Sequence, residues 1–297
     1  MIKVTFLGTA DQIPSAKRNH TAILLTYKDE NILVDCGEGT QRQFRKARLN
    51  PCKLTKILIT HWHGDHILGI PGILSTLALS GYNKTLEIYG PRGTEKFIKE
   101  FLRIFNFTRN YKIKVKDVQG KFFEKNDFYL EAKPMQHGIP CNAYTFVKKG
   151  LIRIDKAKLK KSGLPQGPLL SELKKGKDVK YKGKKYSAKS LTYTEDNKKV
   201  GFVLDTKMNA KIVPFVKNSE LLICEASFAS DLDEHAEKHL HLTAKQTGEI
   251  AKKSGSEKLL LTHLSQRYEM KPEIILKDVK KVFKNSFLVN DFDSFEI

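Results

Sequence analysis

Three stretches of this chain share one pattern: a short, nearly unbroken apolar run that stops at a side chain capable of chemistry. Lys56-Ile57-Leu58-Ile59-Thr60 runs into His61, Val200-Gly201-Phe202-Val203-Leu204 into Asp205, and Leu259-Leu260-Leu261-Thr262 into His263. A weaker strand candidate, beginning at Glu131, ends just before His137. Runs this short and this apolar predict strands buried on both faces. Met1 to Leu7 reads as another strand rather than a leader peptide. Ile67 to Leu79 has helical spacing, interrupted early by Pro71. Strand and helix patterns alternate in both halves, which places the chain in the α/β class. No apolar run approaches membrane-spanning length, so no membrane partner is expected.

A single strand-end His or Asp is more often a cap or turn residue than a ligand. The first of these turns is different. His61-Trp62-His63-Gly64-Asp65-His66 packs four ligand-type side chains into six residues between a strand and a helix. In an extended stretch His61 and His63 project to the same side, whereas the adjacent Asp65 and His66 diverge and could serve a second ion. Imidazole and carboxylate donors without a thiolate cage suit zinc with open coordination positions. Trp62, between two of these residues, reads as packing support.

Length and composition are compatible with this. The 297 residues, 40% of them hydrophobic, can bury a sizeable core. Cys36, Cys52, Cys141 and Cys224 are scattered without zinc-finger spacing and read as reduced, buried thiols of a cytoplasmic protein. Cys141 is close enough to His137 to lie beside the ligands. The formal net charge of +20 favours an anionic partner such as nucleic acid. That charge is concentrated. Between Lys148 and Lys185 only Asp155, Glu172 and Asp178 stand against fourteen Lys and Arg. The same stretch holds Gly163-Leu164-Pro165-Gln166-Gly167-Pro168, and its apolar residues are sparse. It therefore reads as a mobile basic insertion or charged linker, with little apolar content to support independent folding.

The motif His61-x-His63-x-Asp65-His66, followed by His137, Asp205 and His263, resembles the metallo-β-lactamase superfamily. Accessory segments narrow the likeness to the short-form ribonuclease Z (tRNase Z) family. These are Phe6 to Ala10, Pro14 to Asn19, Val34 to Gln43, Cys224 to Phe228, His241 with Thr243, and Leu264 to Tyr268. The resemblance runs from end to end. It implies one four-layer αββα sandwich over residues 1–297, interrupted by the 148–185 arm, whose Gly167-Pro168 element and lysines would clasp precursor tRNA as an exosite.

The resemblance also implies residue roles. His61, His63 and His137 would hold one zinc ion, Asp65, His66 and His263 a second, with Asp205 bridging, giving two Zn2+ per subunit. Such a pair, roughly 3.5–4 Å apart, activates water and stabilises both oxygens of an in-line displacement. Asp65 would orient or deprotonate that water. His241 would protonate the leaving 3′-oxygen and Glu225 would hold its ring. The competing structural role for Glu225 is a helix-entry cap. Leu242 departs from the family pattern between His241 and Thr243, which bears on fine positioning. Lys17, Arg18 and Arg267 are candidate phosphate contacts. His20 is given no role, and His235 and His239 read as solvated-face residues. The expected activity is removal of the 3′ trailer from precursor tRNA, leaving a 3′-hydroxyl on the tRNA and a 5′-phosphate on the trailer. The expected assembly is a homodimer in the cytoplasm. Two alternatives stay open: a small phosphodiester or thiolester hydrolase of the same superfamily, which would need neither arm nor loop, and a non-enzymatic RNA-binding subunit, which would have lost ligands.

Overall fold

The computed structural model describes residues 1–105 and 110–297. The chain divides into a larger unit (1–123, 130–146 and 199–297) and a smaller one (124–129 and 147–198). The larger unit opens with an antiparallel meander, β1 (Ile2–Gly8), β2 (Ala22–Tyr27) and β3 (Glu30–Val34). Strands β4 (Lys56–Leu58), β5 (Thr85–Gly90) and β6 (Lys112–Asp117) extend it in parallel from β3. A second sheet begins with β7 (Gly120–Glu124), β8 (Phe128–Pro134) and β9 (Asn142–Lys148).

After β9 comes the smaller unit. Its strands are β10 (Ile152–Ile154), β11 (Val179–Tyr181), β12 (Lys184–Tyr186) and β13 (Thr192–Thr194), paired β10 with β13 and β11 with β12, both antiparallel. Leu159, Leu164, Leu173, Val179, Ala188 and Leu191 converge into a core. The sparse apolar residues of the 148–185 insertion, with those just after it, thus gather in one place. Helix Lys156–Ser162, capped by Asp155 at its start and by Gly163 (φ 75°) at its end, turns Leu159 inward while its lysines face out. Few apolar residues suffice because nearly all of them point one way.

The chain then returns to the second sheet through the parallel strands β14 (Lys198–Val203), β15 (Leu221–Glu225), β16 (Lys258–Thr262) and β17 (Ser286–Leu288). Strand β18 (Ser294–Glu296) pairs with β1. The sheet orders are β18-β1-β2-β3-β4-β5-β6 and β17-β16-β15-β14-β9-β8-β7. Across the gap between the sheets, Tyr27 meets Phe146 (ring centroids 5.4 Å) and the Tyr144 hydroxyl donates to the Ile59 carbonyl at 2.7 Å. On the outer faces one core gathers Ile57, Ile70, Leu74, Leu77 and Ile98, and another gathers Leu222, Ile250, Leu259, Leu261 and Ile275. The central strands are thus covered on both sides, which is why they read as unbroken apolar runs.

The helix expected from Ile67 is two helices, Gly64–Ile67 and Ile70–Leu79. The break falls at Gly69, not at Pro71. Proline occupies the first turn of the second helix, where a missing N–H costs nothing. Gly69 packs so tightly on the Gly37 carbonyl that a Cβ there would collide with it.

Candidate metal centre

The chemistry-bearing side chains all belong to the larger unit, four following strands and three lying in or just before a short helix. His61 follows β4, His63 is the extended residue before helix Gly64–Ile67, and Asp65 and His66 lie within that helix. His137 follows β8, Asp205 follows β14, and His263 follows β16 with φ 56°, a left-handed conformation uncommon outside glycine. Two groups form, with ligand atoms within 4.8 Å of one another: His61, His63, His137 and Asp205; and Asp65, His66, Asp205 and His263. His61 Nε2 lies 3.0 Å from His63 Nδ1, which lies 3.2 Å from His137 Nε2. Asp205 belongs to both groups. Its Oδ2 is 3.6 Å from His61 Nε2, while Oδ1 is 3.4 Å from His66 Nε2 and 3.2 Å from His263 Nε2.

The electrostatics favour divalent cations here. Asp35, Asp65, Asp205 and Glu225 are all buried within one small region. Such charges persist away from water only when paired or bound to metal. Asp205 Oδ1 is buried with no well-formed hydrogen bond. Burial opposes charge on Asp65, yet His66 and His263 hold its carboxyl well below the usual range. Burial likewise opposes the His66 cation, but Asp205, Asp35 and Asp65 raise its basicity well above that of a free imidazole. His61 and His63 are pushed the other way, first by burial and then by neighbouring histidines, and so present neutral imidazoles. The carboxylates that raise the basicity of His66 would also attract a cation, and the mixed imidazole–carboxylate set suits zinc-like ions.

Four of the five rings, His63 excepted, are met from behind by a partner outside the cluster. His66 Nδ1 is 2.6 Å from Asp35 Oδ2, which also accepts from the Thr60 hydroxyl at 2.7 Å, while Asp35 Oδ1 accepts from the Thr60 amide. The Thr60 hydroxyl reaches His61 Nδ1 at 3.1 Å. His137 Nδ1 lies 3.2 Å from the Leu240 carbonyl, and His263 Nδ1 lies 3.1 Å from the Ser227 hydroxyl. Asp35 and Ser227 were not singled out as functional from sequence. The signal for Asp35 was present, since the run Ile32-Leu33-Val34 ends in it as other runs end in ligands. Replacing Asp35 by Asn should weaken metal affinity about 10–100-fold, measured by chelator competition. Unchanged affinity would reduce Asp35 to a packing group.

His241 stands beside this cluster. Its Nδ1 is 2.9 Å from Glu225 Oε2 and 3.9 Å from Asp205 Oδ2. Burial disfavours its cation, but Glu225, Asp205 and Asp11 outweigh that and raise it to about 9. Glu225 ends β15, accepts from the Thr206 amide (2.8 Å) and the Ser227 hydroxyl (2.7 Å), and caps no helix. Leu242 is fully buried in the outer core, so its side chain anchors the segment, and Thr243 caps helix Ala244–Ser254 through a capping box.

The remaining candidates separate. Arg18 is buried, and its guanidinium donates to Thr9 Oγ1 (2.7 Å), the Val289 carbonyl (2.6 Å) and Asn290 Oδ1 (2.7 Å). Its guanidinium clamps the loop, and the residue also lines the cleft beside Lys17. Lys17 is exposed and lines a small cleft with Arg42 and Lys46. Arg267 is exposed above the Phe228 ring. Gly167 and Pro168 lie exposed in the smaller unit. Trp62 donates to Thr94 Oγ1 at 2.9 Å and packs on Phe97 and Phe101, as support. Cys141 donates its thiol to the Asp205 carbonyl at 3.2 Å.

Comparison with known proteins agrees with this geometry. Ribonuclease Z of Methanosarcina acetivorans is 35% identical, covering 100% of this chain and 98% of that protein. Ribonuclease Z of Lactococcus lactis subsp. lactis is 37% identical, covering 98% of each. The human tRNase Z short-form structure superposes with a TM-score of 0.73 at 27% identity, covering 99% of both chains. The metallo-β-lactamase fold protein YhfI of Bacillus subtilis superposes at 0.71 with 22% identity over 100% of both, a likeness of fold. A family model described as anti-Pycsar protein Apyc1 matches residues 2–104.

Proposed function

Because the chain belongs to the ribonuclease Z family of metallo-β-lactamase-fold enzymes, we propose that it removes the 3′ trailer from precursor tRNA as a metal-dependent endoribonuclease. The observation that carries this is the Asp205 carboxylate, which turns one oxygen to each histidine cluster beside an imidazole held by Glu225. The tRNA-processing assignment follows the full-length relatives, since the Apyc1-type match ends at residue 104.

His61, His63, His137 and Asp205 would hold one ion and Asp65, His66, Asp205 and His263 another; zinc suits both donor sets. Bound there, such ions acidify water and stabilise charge on the oxygens of an in-line displacement. Asp65 orients the attacking water and accepts its proton. As the phosphorus–O3′ bond breaks, His241 Nε2 gives a proton to the departing 3′-oxygen while Glu225 fixes Nδ1. The tRNA keeps a 3′-hydroxyl and the trailer keeps its 5′-phosphate. On this reading Lys17 and Arg267 would meet the acceptor end, and the basic smaller unit, with Gly167 and Pro168, would grip the tRNA body through its phosphates. A homodimer working in the cytoplasm is part of this reading. Among the described residues no helix is long and apolar enough to cross a membrane.

The test is cleavage of a 3′-extended precursor tRNA with the cut site mapped, before and after stripping by a chelator. One cut near the acceptor end, lost on chelation and restored by zinc, is the expected result. Cleavage indifferent to chelation would overturn it. The acid has its own test. His241→Ala should cost about 10²–10⁴-fold on precursor tRNA, and far less on bis(p-nitrophenyl) phosphate, whose leaving group departs without a proton. Equal losses on both would remove His241 from that role.

A further inference from the structure

Phe228 follows β15 and is almost wholly buried, yet what it packs against is polar and aromatic. Its ring lies 5.9 Å from that of His241, 5.0 Å edge-on from His235 and 6.4 Å from His239. The Arg267 guanidinium sits over the same ring at 5.4 Å. His235 and His239 are one turn apart on helix Asp233–His239, with ring centroids 4.4 Å apart. Neither faces open solvent alone, as their surroundings in sequence implied; both turn toward Phe228. His239 and Arg267 are exposed and His235 half-buried, so the assembly ends in an open, planar-sided surface. It begins one ring from the proton donor, for His241 itself stacks on His263 at 5.6 Å.

We propose that Arg267, His235 and His239, assembled on the Phe228 ring, form the subsite for the base of the last nucleotide the RNA keeps, whose 3′-oxygen His241 faces. This rests on the endonuclease reading above and adds to it how the end of the tRNA is seated. Flat imidazole and guanidinium surfaces suit a nucleobase, whose π-face stacks regardless of sequence. The adjoining cleft argues against a phosphate. About 440 Å3 in volume, it is lined by Asp231, Asp233 and Glu234 beside His235 and Lys238, and carboxylates repel phosphate but accept hydrogen bonds from base amino groups. Desolvation, then His239, Arg267 and Lys238, lower the basicity of His235, which keeps a neutral ring available for stacking. Arg267, over the Phe228 ring at 5.4 Å, offers a guanidinium plane on which a base can stack as well as a charge.

The experiment uses the full-length, zinc-loaded enzyme and two precursor tRNAs, identical except for an abasic ribose at the nucleotide before the cut. The wild type should lose about 10-fold in kcat/KM on the abasic RNA, the order of one stacked base. His239→Ala and Arg267→Ala should each lose about 10-fold on the intact RNA and about twofold or less on the abasic one, the non-additivity of a shared contact. His239→Phe should restore activity by keeping a ring, whereas Arg267→Lys should not. Abasic RNA cleaved at the wild-type rate would overturn the proposal. So would losses in the variants that are the same on both RNAs, which would assign these residues to phosphate contact or to structure. Failure of the wild type to cut the intact RNA would instead remove the endonuclease reading, and this subsite with it.

Discussion

Asp65→Ala is expected to lower kcat on precursor tRNA roughly ten-thousand-fold, the largest loss from any single substitution considered for this chain. Two effects combine in one side chain. Asp65 Oδ2 lies 3.1 Å from His66 Nε2 and 3.5 Å from His263 Nε2, so its removal takes a donor and a negative charge from the second metal group. On the proposed mechanism it also removes the carboxylate that receives the proton of the attacking water. Unlike the substitution of His241, this one should damage small activated phosphodiesters as severely as RNA, because every substrate needs the nucleophile. Folding should survive, since Asp65 sits in a four-residue helix and contributes no apolar packing. Parallel assays on both substrates, with circular dichroism and metal content, decide the matter. A variant that keeps more than about one-hundredth of its activity on either substrate would show that the water is oriented by another group.

Excising the basic unit is the second large effect. The structure prescribes where to cut. The Gly150 amide donates to Asn197 Oδ1 at 2.9 Å and the Glu195 amide to the Leu151 carbonyl at 3.0 Å, so the two crossings lie side by side. Residues 151–195 can be replaced by a short glycine linker without stretching β9 or β14. Ending the deletion at Lys185 would instead strand Ala188 and Leu191 outside their core. Precursor tRNA processing should fall at least 100-fold, mostly in KM, while cleavage of bis(p-nitrophenyl) phosphate persists. The dependence of KM on salt should also flatten, because fewer phosphates are neutralised and fewer counterions released. Equal loss of both activities would mean that the unit supports the fold and does not serve as an exosite.

What could be read from the sequence was local. The strand-to-helix turn at His61–His66 announces itself because its ligands, the preceding apolar run and the following helix lie within twenty-odd residues. His137, Asp205 and His263 were legible as a recurring design, although nothing local says that they meet. What escaped depends on partners far along the chain. Arg18 looks like any basic loop residue until Val289 and Asn290 are found at its guanidinium. Asp35 shows its purpose only when φ 56° aims it at Thr60 and His66. The basic insertion hid its core for a different reason: average apolar content measures how many such residues there are, not whether they converge. The aromatic assembly on Phe228 was obscured by charge, because His235 and His239 sit among acids and lysines that suggested open solvent on every side.

Leu240 ties two functions into one moving part. At φ 60° it closes helix Asp233–His239 with a left-handed turn that sends its carbonyl to His137 and the next ring, His241, to Glu225. The same helix end therefore positions both the carbonyl that meets His137 and the ring of His241. A substitution that relaxed the left-handed turn at Leu240 would thus disturb two candidate site residues at once.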